Sequence, residues 1–338
     1  MKNIQSEFIR FHNNIMLSDE NAELREKRDI LLDKLKKNIS DEAASYTTFN
    51  QGSYALGTGI KPTDGDYDID VGLRFEISKD DYSDPTEIKK WVKNALDGHT
   101  KSVKIRRSCV TVTYQKNNEP IYHVDFACYS AENADDKLYI AKGKENSDEE
   151  HKYWEISDPQ GLINTINDKY SDTNERAQFK RIIRYIKKWK NEHFSTSGSA
   201  APTGIALTVL AYNLFSPEYT YDPVTEVNKF SDFNALQNLV ASIKNEFRYT
   251  YNIEDQKFYH TISVKLPVEP HNNLFEKMTE KQQEDMYDKL CTMEAKLKEA
   301  ELKEKKAETC RIMAQIFGSD FPIPTEHSYV GTSESALL

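Results

Sequence analysis

"GSYALGTGIKPTDGDYDIDVGL", residues 52–73, decides how the rest of the chain is read. It opens on a Gly-Ser pair and ends in an Asp-Ile-Asp triplet that runs into apolar residues. Asp64, Asp66, Asp68 and Asp70 fall within seven positions, a local repulsion that needs a physical reason. A calcium loop starting at Asp64 fits at Asp66 and Asp68, but it needs Gly where Ile69 stands and Glu where Phe75 stands. A solvated turn suits Asp64 and Asp66, which flank Gly65. Asp68 and Asp70 differ, because they alternate with Ile69 and lead into "VGLRF", a strand pattern. Residues two apart on a strand share a face. Two carboxylates side by side repel unless a cation lies between them, and a divalent metal ion meets that need.

A metal used in phosphoryl chemistry wants a third carboxylate from elsewhere and groups that meet phosphate oxygens. "YHVDFACY", residues 122–129, places Asp125 inside an apolar strand, where an unpartnered carboxylate is costly. Upstream, Gly52-Ser53 reads as a turn that presents amides and a hydroxyl. Each part alone is a weak signal. The ordered set of Gly-Ser, Asp-x-Asp and an isolated strand aspartate is specific, and its chemistry is nucleotidyl transfer.

The 338 residues suffice for one bilobal unit or two domains. Charged residues make up 30% and the net charge is −10, which argues for a soluble chain and against broad binding to nucleic-acid backbones. No apolar run approaches the roughly 20 residues of a membrane span, and "MKNIQSEFIRFHNN" lacks the apolar core of a secretory signal. Cys109, Cys128, Cys291 and Cys310 are dispersed, which fits reduced thiols in a cytoplasmic protein and no zinc site.

Residues 18–38 read as a long amphipathic helix with Leu24, Leu31 and Leu35 on one stripe and Ser18 or Asp19 as its cap. Strand patterns cluster between 45 and 145, with "QKNNEP" as a hairpin turn. From about 158 onward helical patterns dominate, including 175–194 and a long charged helix over about 276–316. The expected fold is α+β and bilobal. A mixed-sheet catalytic lobe with the N-terminal helix covers 1–160, a helical lobe completes the cleft over 161–325, and 326–338 form a tail. The N-terminal helix is expected to bridge the lobes.

The ordered set resembles the nucleotidyltransferase superfamily typified by DNA polymerase beta. Residues 52–73 look more closely like the branch holding 2'-5'-oligoadenylate synthetase, cyclic GMP-AMP synthase and the bacterial cGAS/DncV-like nucleotidyltransferases (CD-NTases). "IRYIKKWKNEHFSTSGSAAPTGIALTVLAYNLF", residues 183–215, is similar to a second-lobe segment of that branch, and the resemblance covers roughly residues 40 to 325. It implies that Asp68, Asp70 and Asp125 are catalytic and hold two Mg2+ ions, with Mn2+ as a substitute. It implies that Gly52, Ser53, Lys187 and Thr203 bind the nucleotide phosphates. Lys187 also fits an ordinary helix-surface lysine, and Thr203 fits a helix cap. Arg107, in "KIRRSC", fits either a base or phosphate contact or a surface arginine.

The activity implied is synthesis of a cyclic dinucleotide, such as cyclic GMP-AMP, from ATP and GTP, as a second messenger in bacterial anti-phage (CBASS) signalling. A downstream effector would bind the product, and conjugation to a ubiquitin-like or other regulatory partner stays open. DNA activation is disfavoured, because the zinc ribbon of the animal enzyme is absent and the chain is acidic. Gly204 stands where that enzyme has a base-stacking tyrosine, so base selection must differ. The alternatives are a nucleotidyltransferase with an RNA or protein acceptor, of tRNA-end-polymerase or toxin type, and an inactive nucleotide-binding scaffold.

Overall fold

A computed structural model describes residues 3–17, 20–62, 67–117, 119–195 and 200–325. Helices α1 (Gln5–Ile15) and α2 (Glu20–Asn38) lead into strand β1 (Tyr46–Gln51), the one-turn helix α3 (Gly52–Ala55) and strand β2 (Tyr67–Phe75). Helix α4 (Thr86–Leu96) precedes β3 (Ser102–Ile105), β4 (Val110–Lys116), β5 (Glu119–Ser130), β6 (Tyr139–Lys142) and β7 (Tyr153–Ile156). These seven strands form one mixed sheet in the order β1-β2-β5-β4-β3, with β6 on β5 and β7 on β6. The β2–β5 pair is parallel and the other pairs are antiparallel.

Alternation along β2 fixes which way the sheet faces. Ile69, Val71, Leu73 and Phe75 are buried. They pack with Leu24, Leu31 and Leu35 of α2 and with Ile88, Val92 and Leu96 of α4. Asp68, Asp70, Gly72 and Arg74 are therefore on the other face, which the strand period leaves toward the second lobe.

That lobe holds α5 (Pro159–Asn167), α6 (Thr173–His193), α7 (Gly204–Leu214), α8 (Asp232–Asn245), α9 (Glu280–Glu301) and α10 (Lys306–Phe317). Its core is separate and aromatic-rich, built on Phe179, Tyr185, Trp189, Phe233, Phe275 and Phe317. α6 is buried on most sides because α1, α7, α8 and α10 all pack against it. Asp172 caps it by accepting from the amides of Asn174 and Glu175. Asp232, at the start of α8, is fully buried and takes two hydrogen bonds from Arg181, at 2.7 and 2.8 Å, tying α8 to α6.

Three features differ from the sequence-based expectation. The N-terminal segment reaches both lobes as two helices and not as one: α2 packs on the sheet lobe, while Phe8, Phe11 and Ile15 of α1 join the helical core. Ser18 and Asp19 lie outside the described residues, as do Asp64, Asp66 and the tail 326–338. The helix expected over about 276–316 is an α9–α10 hairpin broken after Glu301. A straight helix of that length would run about 60 Å and carry its second half away from the core. Folding back buries Met286, Leu290 and Leu297 together with Cys310, Met313 and Phe317. Two hairpins also interrupt the helices: β8 (Tyr219–Asp222) with β9 (Val227–Phe230), and β10 (Arg248–Asn252) with β11 (Lys257–Thr261).

Candidate active site

The site begins where β1 hands over to α3. Gly52 has φ +65°, and a Cβ there would lie 1.8 Å from Oδ2 of Asp70. Only glycine combines this left-handed backbone with so close an approach of a carboxylate. Asp70 is in parallel register with Asp125, so neighbouring strands set the two carboxylates side by side on one face. Asp68 is one pair earlier, in register with His123, and its Oδ1 is 3.6 Å from His123 Nδ1. It is turned outward, with 68% of its side chain exposed. The structure thus brings Asp70 and Asp125 together and leaves Asp68 at the mouth.

Electrostatics at this pair are unfavourable without a cation. Burial, and then the Asp125 charge, push the Asp70 carboxyl up to about 6. Oδ1 of Asp125 is buried and has no hydrogen-bond partner among the described residues. Burial, and then Asp125, also push the nearby Cys109 thiol up to about 12. A buried carboxylate oxygen without a donor, beside a second carboxylate, is what a hard divalent cation bound by oxygen ligands requires.

Asp68 and Asp70, with Gln51, Gly52, Ser53 and Lys187, line a cavity of about 460 Å³ whose apolar wall is Pro159, Leu162, Ile163 and Ile205; Asp125 is not among the lining residues. A smaller cavity of about 240 Å³ shares Ser53, Asp68, Lys187 and Gly204 with it and adds Thr58, Lys190 and Asn191. The first suits a flat apolar group with polar edges, and the second suits an anion.

Lys187 lies between the two. Its side chain is buried, and Nζ donates to Oγ1 of Thr58 at 3.0 Å and to its carbonyl at 3.3 Å. Burial, and then the charges of Arg184 and Lys190, bring the ammonium down to about 7. Arg184 donates to the carbonyls of Gly57 and Gly59, fastening the loop that holds Thr58 onto α6. Sequence reasoning assigned no role to Arg184, Lys190 or Asn191. Their spacing of three and four from Lys187 on one helix is the signal that places Lys190 and Asn191 near the same cavity.

Two of the residues expected to meet the nucleotide, Thr203 and Arg107, do not line either cavity. Thr203 is exposed and caps α7, its Oγ1 accepting from the Ala206 amide at 3.2 Å. Gly204 and Thr208 line the cavity in its place. Arg107 sits in the β3–β4 turn and donates to the Tyr153 hydroxyl at 2.8 Å. Its carbonyl is held by Lys89 and by the Gly143 amide. These bonds draw the turn to β6 and β7, and Arg107 is not among the residues lining either cavity.

Comparison with known proteins bears on this geometry. Residues 47–129, which span β1 to β5 and all three aspartates, match the family described as cyclic GMP-AMP synthase DncV-like, nucleotidyltransferase domain. That stretch of the chain is similar to a DncV-like nucleotidyltransferase domain. A cyclic GMP-AMP synthase of Escherichia albertii is 27% identical to it over 208 residues, 58% of this chain and 42% of that protein. A c-di-GMP synthase of Roseivirga ehrenbergii is 22% identical over 250 residues, 67% of this chain and 59% of that protein. The chain thus spans about half the length of these curated relatives. The crystal structure of Vibrio cholerae DncV cyclic AMP-GMP synthase with nonhydrolyzable GTP superposes with a TM-score of 0.65 at 15% identity, covering 92% of this chain and 93% of that one. At that identity the likeness is one of fold, and it extends the DncV-like architecture beyond the domain match to the helical lobe.

Proposed function

We propose that this protein is a metal-dependent nucleotidyltransferase that joins nucleoside triphosphates into a cyclic dinucleotide. The observation that carries the reading is the Asp70–Asp125 pair, in register and with a buried oxygen that lacks a donor. The names of the relatives, cyclic GMP-AMP synthase and c-di-GMP synthase, support the product class. GTP-bound DncV supports the substrate class.

Asp68, Asp70 and Asp125 would hold two Mg2+ ions, or Mn2+ in their place. Such ions neutralise phosphate charge and lower the pKa of an attacking hydroxyl. The chain's own groups do the rest. Gly52 lets the Asp70 carboxylate into the site. Ser53 and Lys187 face the phosphates, and Thr58 holds Lys187 in place until they arrive. Pro159, Leu162, Ile163 and Ile205 exclude water from the base. Attack of one ribose hydroxyl on the α-phosphate of a second nucleotide forms one phosphodiester and releases pyrophosphate. A second transfer closes the ring. ATP and GTP as the pair, a cyclic GMP-AMP-like product, a downstream effector that binds it and a role in anti-phage signalling form the finer part of this proposal.

The test is incubation with Mg2+ and all four nucleoside triphosphates, omitting one at a time, then phosphatase treatment and mass analysis of the resistant products. A small cyclic product supports the reading. Label transferred only to an RNA or a protein would replace it with the macromolecular-acceptor alternative.

A further inference from the structure

Gln51, the last residue of β1, precedes Gly52 and is in register with Asp70. It lines the larger cavity, and no residue motif singled it out. Its Oε1 accepts a 2.8 Å hydrogen bond from the hydroxyl of Tyr129, 78 residues away on β5. Its Nε2 makes no hydrogen bond among the described residues.

We propose that Tyr129 is a positioning residue for nucleotide binding: its buried hydroxyl locks the Gln51 carboxamide with the oxygen turned to the sheet and the N–H groups turned to the cavity. The proposal rests on the nucleotide reading of that cavity. A free glutamine side chain presents either its acceptor or its donors, because the two ends are nearly alike in shape. Here the choice is made by the protein. Tyr129 is only 2% exposed, and a buried phenol must place its single proton on an acceptor. Gln51 Oε1 takes that proton, and the Ser157 side chain lies beside the same hydroxyl.

The phenol is itself held in place. Phe49 packs against it with ring centroids 5.7 Å apart. The Phe49 ring fills the space over Gly72, where a Cβ would lie 2.1 Å from the ring carbon Cζ. The result is a donor-only position beside the carboxylate pair. Its partner on the substrate is an acceptor oxygen, of phosphate or ribose, and an amino group placed there would be refused.

Binding of ATP and of GTP, measured calorimetrically with Ca2+ in place of Mg2+, tests this in the full-length protein. Tyr129→Phe is expected to weaken binding roughly 3- to 10-fold, the worth of one oriented hydrogen bond, with little change in Tm. Gln51→Leu is expected to weaken it similarly, and Gln51→Glu, which replaces the donors by acceptors, to weaken it more. The double variant Gln51→Leu/Tyr129→Phe is expected to bind no worse than Gln51→Leu alone, because Tyr129 acts through Gln51. Losses that multiply in the double variant, or unchanged affinity in Tyr129→Phe, overturn the positioning role while leaving the nucleotide reading in place. Wild-type protein that binds neither nucleotide overturns both.

Discussion

Gly52 and Lys187 show how single positions set the site. The space that a side chain at 52 would need is occupied by the Asp70 carboxylate. Gly52→Ala is expected to cut turnover at least about 100-fold, because displacement of a reacting group by about an ångström has that scale. A product assay beside a melting curve separates this from unfolding. Asp70→Asn and Asp125→Asn are expected to abolish turnover and to leave Tm unchanged or raised, since each removes one of two poorly solvated like charges. Near-native activity in either variant would sink the metal assignment.

Lys187 gives a pH signature. Its ammonium is held at about 7, below its ordinary value of 10.5. Between those values the unfolded chain binds more protons than the folded one, so this residue's burden on stability is full below pH 7 and lifts as pH rises toward 10.5. Lys187→Met should therefore raise Tm by at least about 2 °C at pH 6.5 and by less at pH 9. A triphosphate favours the charged lysine, so binding to wild type at pH 8 should take up a proton, and affinity should fall as pH rises from 7 to 9. Calorimetry in buffers of different ionisation enthalpy counts that proton, and a count of zero at pH 8 contradicts the role of Lys187.

Elements show what pattern alone can and cannot tell. The β2 aspartates are legible because alternation is a local property, and it correctly puts Asp68 and Asp70 on one face. That Asp125 stands beside Asp70 is a matter of strand register, which no local pattern encodes. The positions of Thr203 and Arg107, away from both cavities, are not legible for a similar reason. A threonine before a helix is more useful to the helix as a cap, and the turn holding Arg107 is pulled away by Lys89 and Gly143. The two late hairpins escaped notice because their large apolar side chains, Tyr221, Val227, Tyr249 and Phe258 among them, are exposed and define no buried face. The α6–α8 tie is testable. Asp232→Ala leaves Arg181 buried without its partner and should cost about 3–5 kcal/mol, read by denaturant unfolding. A loss under about 1 kcal/mol would mean that the pair is not sealed from solvent.

At the scale of the molecule, two cores flank one cleft, and the cleft lies on the sheet face that α2 and α4 leave uncovered. Among the described residues, no helix is long and apolar enough to cross a membrane. The lobes should be separable in stability. Phe11 packs on Tyr185, Phe317 and Phe321 with centroids 5.1, 4.8 and 5.1 Å away. Phe11→Ala should cost about 3–5 kcal/mol. Amide exchange should quicken in α1, α6 and α10 while β2 and β5 keep their protection. Uniform loss of protection would show a single cooperative unit.

The same aromatic cluster sets an order in time. Phe321 is synthesised 310 residues after Phe11. At about 5–20 residues per second, that gap is roughly 15–60 s of synthesis. The apolar side of α1 gains Tyr185 and Phe233 part-way through it and completes its cluster only with Phe317 and Phe321, while α2 can pack on the sheet once β5 is made. The sheet lobe can therefore close during synthesis well before the aromatic cluster around α1 is complete.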